Sequence, residues 1–590
     1  PPPVQQPPEE RPPPQGTPVG GAEGDVVSYF GNPQHTQATA TEAVFGPLAV
    51  QWSKRFATEN TDGGFTNQPL LVGGKVLVNV SREDDRYGSQ VVALDAWTGR
   101  ELWRRPTPGT YFTAPLAADA GRVYSINDEG VARAFSIEDG RPLWSQDVNA
   151  DVDAPVAAGG TVYFGNTAVD GATGNVLWRA NEEPVQSAVP MIDSERVYMT
   201  DECGSAVALS RSDGKVVWRR NRYAGTTCHR GSARGYPGML YGGRVFAPGG
   251  FTYDAATGED RPASPVPEAA AGDLGFGRGP FAFSLAGGET RWGSDKRGAF
   301  GTTLGLVSRV PLVVAHDVYA VAEGRGLLAF DRETGEPRGY GVLRQAGFNE
   351  PGGLHPGMSA GSPGVLVASG GQRLTAFRSL LRPDPGGIDA AVTVNDVLVG
   401  NEGEVAGAAG RTFRESRPIL EVEADPYPYG RFRPAGRSGP VNADGTTFFH
   451  PRPTRNTRYR MRAQGVPGTT RAVTVYAYPR AGVKSRFVSG RHVRMTVRLR
   501  GGRDFRVGSR RFVLYLGRPY KRRYYRLGTA RIRQAGRSSA VARVTFTFPR
   551  EFSDLDVFAW CVPGLRAWGR RDALSRRCGA RVVKAPFPEP

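Results

Sequence analysis

The sequence repeats one eleven-residue motif four times, and this repeat constrains the fold more than any other feature. The most complete copy has the pattern Ala-x-Asp-x-x-Thr-Gly-x-x-x-Trp. The final tryptophans of successive copies are 41, 34 and 40 residues apart, with only short runs rich in Val, Tyr, Phe and Thr between them. A period near 40 residues that is made of short strands predicts a four-stranded propeller blade. The copies span Ala93–Trp103, Ala134–Trp144, Ala168–Trp178 and Ala208–Trp218.

Each part of the motif has a physical role. Asp95 ends one strand, and its carboxylate can accept hydrogen bonds from backbone N–H groups of the following turn. Gly99 closes the turn because the last loop residue needs a positive φ. Trp103 then lies on the next strand, where its large ring can pack against the neighbouring blade. We therefore predict four structural residues that are largely buried at blade interfaces: Trp103, Trp144, Trp178 and Trp218.

Later units keep only parts of the motif. The stretch SLAGGETRW keeps Trp292, and the last unit ends at Phe377 without a fourth strand. Residues 47–56, PLAVQWSKRF, have the pattern of the Trp-bearing outer strand. Pairing of this stretch with the last unit would close the ring and remove a free sheet edge. The count is then eight blades, or seven if residues 265–300 are an insertion.

Two further strand-rich segments follow the repeats. Residues 388–479 contain NADGTTFFHPRPTRNTRYRMRAQG, and residues 480–590 contain RHVRMTVRLR and SAVARVTFTFP, which alternate as strands do. The predicted fold is all-β: a seven- or eight-bladed β-propeller at 44–380, followed by two immunoglobulin-like β-sandwich domains at 388–479 and 480–590.

The first 43 residues are predicted to be a Pro-rich spacer and lead-in. Their proline density favours an extended, semi-rigid chain. No run of 18 apolar residues is present, so no transmembrane segment is expected in this chain. The sequence starts at Pro1 rather than Met, which leaves open whether a signal peptide or an anchor was removed.

The motif at Ala93–Trp103 resembles the tryptophan-docking repeat of quinoprotein-type (pyrroloquinoline-quinone-like, PQQ-like) β-propeller proteins. The opening YFGNPQHTQ, Tyr29–Gln37, is similar to the N-terminal segment of such proteins. The stretch ADGTTFFHPRPTRNTRYRMRA resembles bacterial immunoglobulin-like surface domains. The quinoprotein family holds quinone-dependent dehydrogenases and also non-catalytic members, including a lipoprotein that scaffolds outer-membrane protein assembly.

The resemblance implies a non-catalytic member. Enzymes that resemble methanol dehydrogenase use two adjacent cysteines beside the quinone and hold Ca²⁺ with Glu, Asn and Asp, whereas the four cysteines here are scattered. No catalytic, cofactor-binding or metal-binding residue is therefore predicted, and no cofactor is expected. A PQQ-dependent oxidoreductase is the alternative.

The cysteines are Cys203, Cys228, Cys561 and Cys578, at spacings that do not match a Cys-x-x-Cys pair. Four cysteines allow three connectivities, and locality favours the pairs 203–228 and 561–578. Two disulfides would place the protein in an oxidising compartment, either extracellular or in the cell envelope.

Positive charge is concentrated at the C-terminal end. The net charge is +18, and residues 481–590 hold 27 Lys and Arg against 6 Asp and Glu. The densest basic and aromatic stretch is a candidate site for an anionic polymer, although a hairpin with alternating exposed arginines would give the same pattern. The candidate residues are Arg518, Tyr520, Lys521, Arg522, Arg523, Tyr524 and Arg526.

These features together predict a secreted or envelope-tethered binding or scaffold protein. Its propeller would be a platform for a protein or a glycan, and its basic terminal domain would contact the anionic envelope. The expected partner is an envelope or extracellular protein or an anionic glycan, and no nucleic acid is expected. Two alternatives stay open, a PQQ-dependent oxidoreductase and an assembly factor for envelope proteins.

Overall fold

The computed structural model describes most of the chain between Gly24 and Cys561. The chain divides into two compact units, Pro1–Leu380 and Leu381–Pro590. The described ranges are 24–41, 44, 46, 48–56, 67–81, 89–108, 115–127, 129–148, 154–180, 189–201, 203–222, 238–262, 265–277, 281–293, 307–322, 326–336, 357–370, 373–381, 387–394, 396–398, 400–410, 416–442, 445–464, 468–478, 480–501, 511–518, 523–547 and 557–561.

The first unit contains eight small β-sheets, called blades 1 to 8 here in chain order. Two strands precede them, β1 (Ala38–Thr39) and β2 (Leu48–Arg55). Blade 1 contains β3 (Leu70–Val72), β4 (Lys75–Ser81), β5 (Ser89–Asp95) and β6 (Glu101–Thr107). Blade 2 contains β7 (Ala117–Asp119), β8 (Arg122–Ile126), β9 (Val131–Ser136) and β10 (Pro142–Asp147). Blade 3 contains β11 (Val156–Ala158), β12 (Thr161–Phe164), β13 (Thr167–Asp170) and β14 (Val176–Arg179). Blade 4 contains β15 (Met191–Ile192), β16 (Arg196–Thr200), β17 (Ala206–Ser210) and β18 (Val216–Arg220).

The second half of the ring is less regular. Blade 5 has three strands, β19 (Met239–Tyr241), β20 (Arg244–Ala247) and β21 (Phe251–Asp254), with a short 3-10 helix at Pro248–Gly250. Blade 6 contains β22 (Ala269–Ala271), β23 (Leu274–Gly277), β24 (Phe281–Ser284) and β25 (Thr290–Trp292). Blade 7 contains β26 (Val307–Val314), β27 (Asp317–Ala322) and β28 (Gly326–Asp331), and blade 8 contains β29 (Met358–Gly361), β30 (Val365–Gly370) and β31 (Arg373–Ser379).

The ring closes as the sequence predicts. Strand β2 pairs antiparallel with β31, with Val50 opposite Phe377, and so supplies the outer strand of blade 8. The first strands of most successive blades are neighbours, and β29 of blade 8 also contacts β3 of blade 1. Residues 265–300, where the repeat motif is incomplete, contain blade 6 rather than only an insertion. The described residues therefore form eight blades, the larger of the two predicted counts.

Apolar side chains fill the spaces between neighbouring blades. One buried cluster joins Leu77, Val91 and Trp103 of blade 1 to Val123 and Phe135 of blade 2. Because a blade cannot bury both faces alone, this stacking supplies most of the hydrophobic stabilisation.

In six blades, a tryptophan of the outer strand joins the blade to the turn of the next blade. Each indole Nε1 donates to the carbonyl oxygen of the residue after the motif Asp or Ser of the following blade. Trp103, Trp178 and Trp218 are buried, whereas Trp144 is half-buried. The bonds are Trp52 to Ala96 (2.9 Å), Trp103 to Ile137 (3.0 Å), Trp144 to Gly171 (3.0 Å), Trp178 to Arg211 (2.8 Å), Trp218 to Ala255 (2.9 Å) and Trp292 to Arg332 (2.8 Å).

The turn residues meet the geometric demands of this contact. Asp95 Oδ1 accepts hydrogen bonds from the Thr98 hydroxyl (2.6 Å) and from the Thr98 backbone N–H (2.7 Å), and these bonds lower the pKa of Asp95. Gly140 has φ +71°, and a Cβ there would stand 2.5 Å from the indole of Trp103. The glycine is therefore required both by the turn and by the indole that packs on it.

Blade 5 uses a different side chain for the same contact. None of its described strands carries a motif tryptophan. Arg244 Nη1 instead donates to the carbonyl oxygen of Leu285 in blade 6 over 2.7 Å. The equivalent turn carbonyl is thus satisfied although the motif has decayed.

The second unit contains two groups of strands, each around its own core. The first group contains β32 (Ile388–Val394), β33 (Asp396–Leu398), β34 (Glu404–Ala409), β35 (Ile419–Pro426), β36 (Arg433–Pro440), β37 (Thr446–Phe449), β38 (Thr457–Arg462) and β39 (Val473–Tyr478). It forms the sheets β32–β34–β37 and β33–β39–β38–β35–β36 around residues such as Val405, Leu420 and Met461.

The second group contains β40 (Arg480–Ser489), β41 (His492–Arg500), β42 (Arg511–Arg518), β43 (Arg523–Arg531), β44 (Arg533–Gly536), β45 (Ser539–Thr547) and β46 (Val557–Cys561). It forms the sheets β40–β41–β45–β44 and β43–β42–β46 around Val497, Phe512 and Phe546. Two sheets over one core are what a sandwich requires. The immunoglobulin-like assignment and the predicted domain boundaries stay predictions.

Candidate functional site

The segment Gly24–Thr39, called the axial segment here, lies against the first strands of the blades. A first strand at the inner edge of a blade has backbone N–H groups that face the propeller axis and need acceptors. Carbonyl oxygens of the axial segment accept hydrogen bonds from the first strands of six blades and from Ser362, which directly follows the first strand of blade 8. The donor and acceptor pairs are Leu71 to Val26, Ala118 to Val27, Ile192 to Pro33, Leu240 to Gln34, Ala270 to Thr36, Val313 to Gln37 and Ser362 to Gly24.

Two buried glutamines anchor the axial segment where the ring closes. Gln68 Oε1 accepts a hydrogen bond from the Phe30 N–H over 3.2 Å, and Gln68 Nε2 donates to Gln37 Oε1 over 3.1 Å. Gln37 Nε2 donates to the carbonyl oxygen of Met358 in blade 8 over 2.9 Å. The amide groups thus join the segment to blades 1 and 8 without any charged side chain.

His35 is buried in the same segment. Its Nδ1 lies 3.1 Å from the carbonyl oxygen of Gly238. Burial lowers the pKa of His35 to about 4, although hydrogen bonds to the carbonyls of Gly238 and Pro190 act in the opposite direction. The imidazole is therefore neutral at pH 7. The backbone φ of His35 is 64°, in the left-handed region. The contacts of His35 and of its neighbours hold this conformation.

The described axial residues do not fit a quinone of the PQQ type. Such a quinone carries three carboxylates, and a buried carboxylate needs cationic partners or many hydrogen-bond donors. Residues 24–41 contain no Lys or Arg, His35 is neutral, and no Lys or Arg is buried anywhere in the described residues. In seven blades, a backbone donor at the inner edge is already bonded to a carbonyl of the axial segment. Within the described ranges, no group of three or more His, Cys, Asp or Glu side chains could hold a metal ion.

An exposed apolar strip lies on the outer strands of blades 3 and 4. The two residues before the motif tryptophan are Val176 and Leu177 in blade 3, and Val216 and Val217 in blade 4. Leu177 is 54% exposed and Val217 is 47% exposed. Among the described strands, β14 and β18 are edge strands of their sheets, and an edge strand can pair with an added strand.

The structure places part of the predicted basic site on a hairpin. Arg518 ends β42, whereas Arg523, Tyr524 and Arg526 belong to β43; in the register Arg518 lies opposite Arg523. Arg526 is exposed. Tyr520, Lys521 and Arg522 lie outside the described residues. The hairpin is thus present, and anion binding by these residues stays a prediction.

The cysteines are only partly described. Cys203 follows β16 in the turn before β17, where its N–H donates to Asp201 Oδ1 over 2.9 Å, and Cys203 is disulfide-bonded. Cys228 and Cys578 lie outside the described residues, and Cys561 ends β46. The pairs 203–228 and 561–578 therefore stay predictions.

The sequence did not reveal the role of the axial segment. Residues 24–41 fall in the predicted lead-in, yet they bond to residues up to 338 positions away, because Gly24 accepts from Ser362. Only the resemblance of Tyr29–Gln37 to the start of quinoprotein-type propellers pointed to this stretch.

Comparison with known proteins identifies the repeat. A profile of the family described as outer membrane protein assembly factor BamB matches residues 48–181 and 87–294. The Xanthomonas campestris protein of that description is 34% identical over 130 residues, which cover 19% of this chain and 32% of the relative. The Yersinia pestis protein of the same description is 25% identical over 181 residues, covering 27% of this chain and 44% of the relative. The chain thus matches less than half of the length of these relatives.

Two solved structures illustrate which known proteins this chain is similar to. BamB from Moraxella catarrhalis has a TM-score of 0.37 at 15% identity, covering 57% of this chain and 98% of that one. A europium-containing methanol dehydrogenase has a TM-score of 0.39 at 13% identity, covering 61% and 98%. The profile match and the eight blades show that the chain contains a PQQ-like-repeat β-propeller of the quinoprotein type.

Proposed function

We propose that this chain is a non-catalytic scaffold of the cell envelope, extracellular or envelope-tethered, whose propeller binds a partner protein. The observation that carries the proposal is the axial segment. Where a catalytic propeller would need an open axial pocket, seven blades here donate backbone hydrogen bonds to Gly24–Gln37. We therefore assign partner binding to the outer part of the blades.

The apolar strip of blades 3 and 4 is the candidate protein-binding surface. Single exposed apolar residues are common, but two adjacent pairs on the edge strands of neighbouring blades are a larger apolar feature. The equivalent positions of blade 6 are Thr290 and Arg291, which are polar. An extended partner segment could pair with such an edge strand and cover the apolar side chains.

Similarity to proteins described as outer membrane protein assembly factors supports the scaffold class. An assembly factor for envelope proteins is the more specific form of the proposal. A glycan is the alternative ligand of the propeller. The C-terminal unit would contact the anionic envelope through its excess of Lys and Arg. A PQQ-dependent oxidoreductase is the competing class, and the absence of Lys and Arg from the axial segment disfavours it.

The proposal is tested by site-specific photo-crosslinking in cells that express the full chain. A photoreactive residue at Leu177 or Val217 is expected to give one discrete protein adduct that mass spectrometry can identify. The same residue at Thr290 or Val50 is the control, because both lie in outer strands of other blades. Loss of the adduct in a Val176→Thr, Val216→Thr variant with unchanged melting temperature would support the strip. Equal adducts from all four positions would contradict it.

A further inference from the structure

The sheet β40–β41–β45–β44 has one face that carries only cations as charged groups. Along β41, side chains alternate between the core and solvent: Val493, Met495, Val497 and Leu499 are buried, and the residues between them point outward. Partners in an antiparallel register share a face. The outward residues of the four strands therefore form one surface, called the basic face here. Its cations are Lys484, Arg486, Arg494, Arg498, Arg500, Arg533 and Arg543, and all seven are exposed.

The register spreads these cations over two dimensions. Arg486 lies opposite Arg494, and Lys484 and Arg543 lie on either side of Thr496. Alternate residues on a strand are about 6.7 Å apart and neighbouring strands about 4.8 Å apart. The basic face is thus an array four strands wide rather than a single row. A linear polymer would reach only one row of it at a time, whereas a charged surface reaches all of it.

No acidic group compensates the array within the described residues. Between Arg480 and Arg550 the only acidic residue of the sequence is Asp504, which lies outside the described ranges. No ion pair involves the seven cations in the described part of the chain. Like charges directly opposite each other on a sheet, such as Arg486 and Arg494, destabilise it. Such a face is stabilised when anions cover it.

The other group of strands in the same unit shows that arginine content alone does not cause this arrangement. There the arginines on β38 pair with acids on β35: Arg458 contacts Asp425, and Arg460 lies 2.6 Å from Glu423. Arg462 also reaches Glu423, over 2.8 Å. Both groups are arginine-rich, but the seven cations of the basic face have no acidic partner among the residues that the structure describes.

We propose that the basic face binds an anionic phospholipid bilayer through the phosphates of its headgroups. The proposal deepens the proposed contact of the C-terminal unit with the anionic envelope and rests on it, but assigns the contact to the β40–β41–β45–β44 sheet instead of the β42–β43 hairpin. The described residues of the face include no exposed Phe, Tyr or Trp, so binding is electrostatic and sensitive to salt. Arginine suits this role because its planar guanidinium can bind phosphate through two parallel hydrogen bonds.

The test is co-sedimentation of the full chain with vesicles of 30% phosphatidylglycerol in phosphatidylcholine. A variant with Arg494→Gln, Arg498→Gln and Arg543→Gln is expected to bind about 100-fold more weakly, since each cation near an anionic surface contributes roughly five-fold. The matched control is Arg431→Gln, Arg433→Gln, Arg437→Gln, which removes three exposed charges from the other group of strands. It is expected to change binding less than three-fold.

A second experiment measures the charge repulsion on the basic face through thermal stability, without using binding. Because Arg486 faces Arg494, Arg486→Thr is expected to raise the melting temperature at low salt and to lose this effect at about 1 M salt. A lower melting temperature at low salt would contradict an uncompensated face. A folded triple variant that keeps wild-type binding would overturn the proposal.

A third variant separates this proposal from the proposed function. This variant carries Arg518→Gln, Arg523→Gln and Arg526→Gln. If it abolishes binding and the basic-face variant does not, the proposed contact with the anionic envelope is supported and its assignment to the basic face is wrong. If the wild-type chain binds anionic vesicles no better than vesicles of pure phosphatidylcholine, both the basic-face proposal and the proposed contact with the anionic envelope are wrong. If soluble polyphosphate at equal phosphate concentration displaces the chain from vesicles completely, a polymer rather than a bilayer is the ligand.

Discussion

The indole Nε1 of Trp52 donates a hydrogen bond to the carbonyl oxygen of Ala96 over 2.9 Å. Trp52 belongs to a strand that precedes blade 1 in the chain but completes blade 8, so this bond joins the two ends of the ring. Lys54 on the same strand forms an ion pair with Glu101 of blade 1 over 2.8 Å. The closure therefore uses the same indole contact as five other blade interfaces and adds an ion pair.

Truncation of the buried motif tryptophans is expected to destabilise the propeller. Trp103→Ala removes an indole that is 7% exposed, and we expect a loss of about 3–5 kcal/mol in the free energy of unfolding. Trp144→Ala is expected to cost less, because Trp144 is half-buried. Denaturant unfolding followed by tryptophan fluorescence and circular dichroism measures both. Equal losses at the two sites would contradict the interface argument.

Two glycines with nearly the same backbone angle separate turn strain from indole packing. Gly140 has φ +71° and faces Trp103, whereas Gly121 has φ +76° and no atom within 4 Å of an added Cβ. Gly121→Ala should cost about 1–2 kcal/mol from the left-handed backbone alone. Gly140→Ala should cost about 1–3 kcal/mol more, because the methyl group displaces the indole. If the two variants lower the melting temperature equally, the indole of Trp103 moves aside without a measurable cost and the packing argument is wrong.

The stability of the propeller is expected to fall between pH 7 and pH 5 because of His35. Its pKa is about 4 in the folded protein and about 6.5 in the unfolded chain, so the unfolded chain binds the extra proton over this range. Stability is full above pH 6.5 and declines as the pH falls, by about 2 kcal/mol at pH 5. His35→Gln should reduce this pH dependence of the free energy of unfolding, whatever its effect at pH 7. An unchanged pH dependence would mean that His35 is not buried as a neutral group.

Sequence reasoning predicted the strands of the repeats and of the C-terminal segments, but it missed the role of the axial segment. The spacing from Trp103 to Trp218 predicted blades, and the position of Trp52 in its stretch predicted ring closure, because both depend on local strand patterns. The axial segment has no period, and its bonds to Leu240 or Val313 depend on the closed ring. The basic face illustrates a second limit: the composition gave the charge, but only the strand register places Arg486 opposite Arg494.

The disulfides can be tested directly by mass spectrometry of non-reduced peptides. We expect one peptide pair that contains Cys203 with Cys228 and another that contains Cys561 with Cys578. For a closed loop of the first size, the chain-entropy account gives roughly 3–4 kcal/mol of stabilisation. Free thiols at both positions, or a link from Cys203 to Cys561 or Cys578, would contradict the pairing.

The most direct test of the non-catalytic account is equilibrium binding of the quinone. The purified chain is incubated with excess PQQ and Ca²⁺, separated from free quinone by gel filtration, and examined for the quinone absorbance and for reduction of an artificial electron acceptor by alcohols. Because the axial segment has no Lys or Arg and its carbonyls accept hydrogen bonds from backbone donors of seven blades, we predict no retained chromophore and no dye reduction. About one quinone retained per chain, with alcohol-dependent dye reduction, would contradict the account.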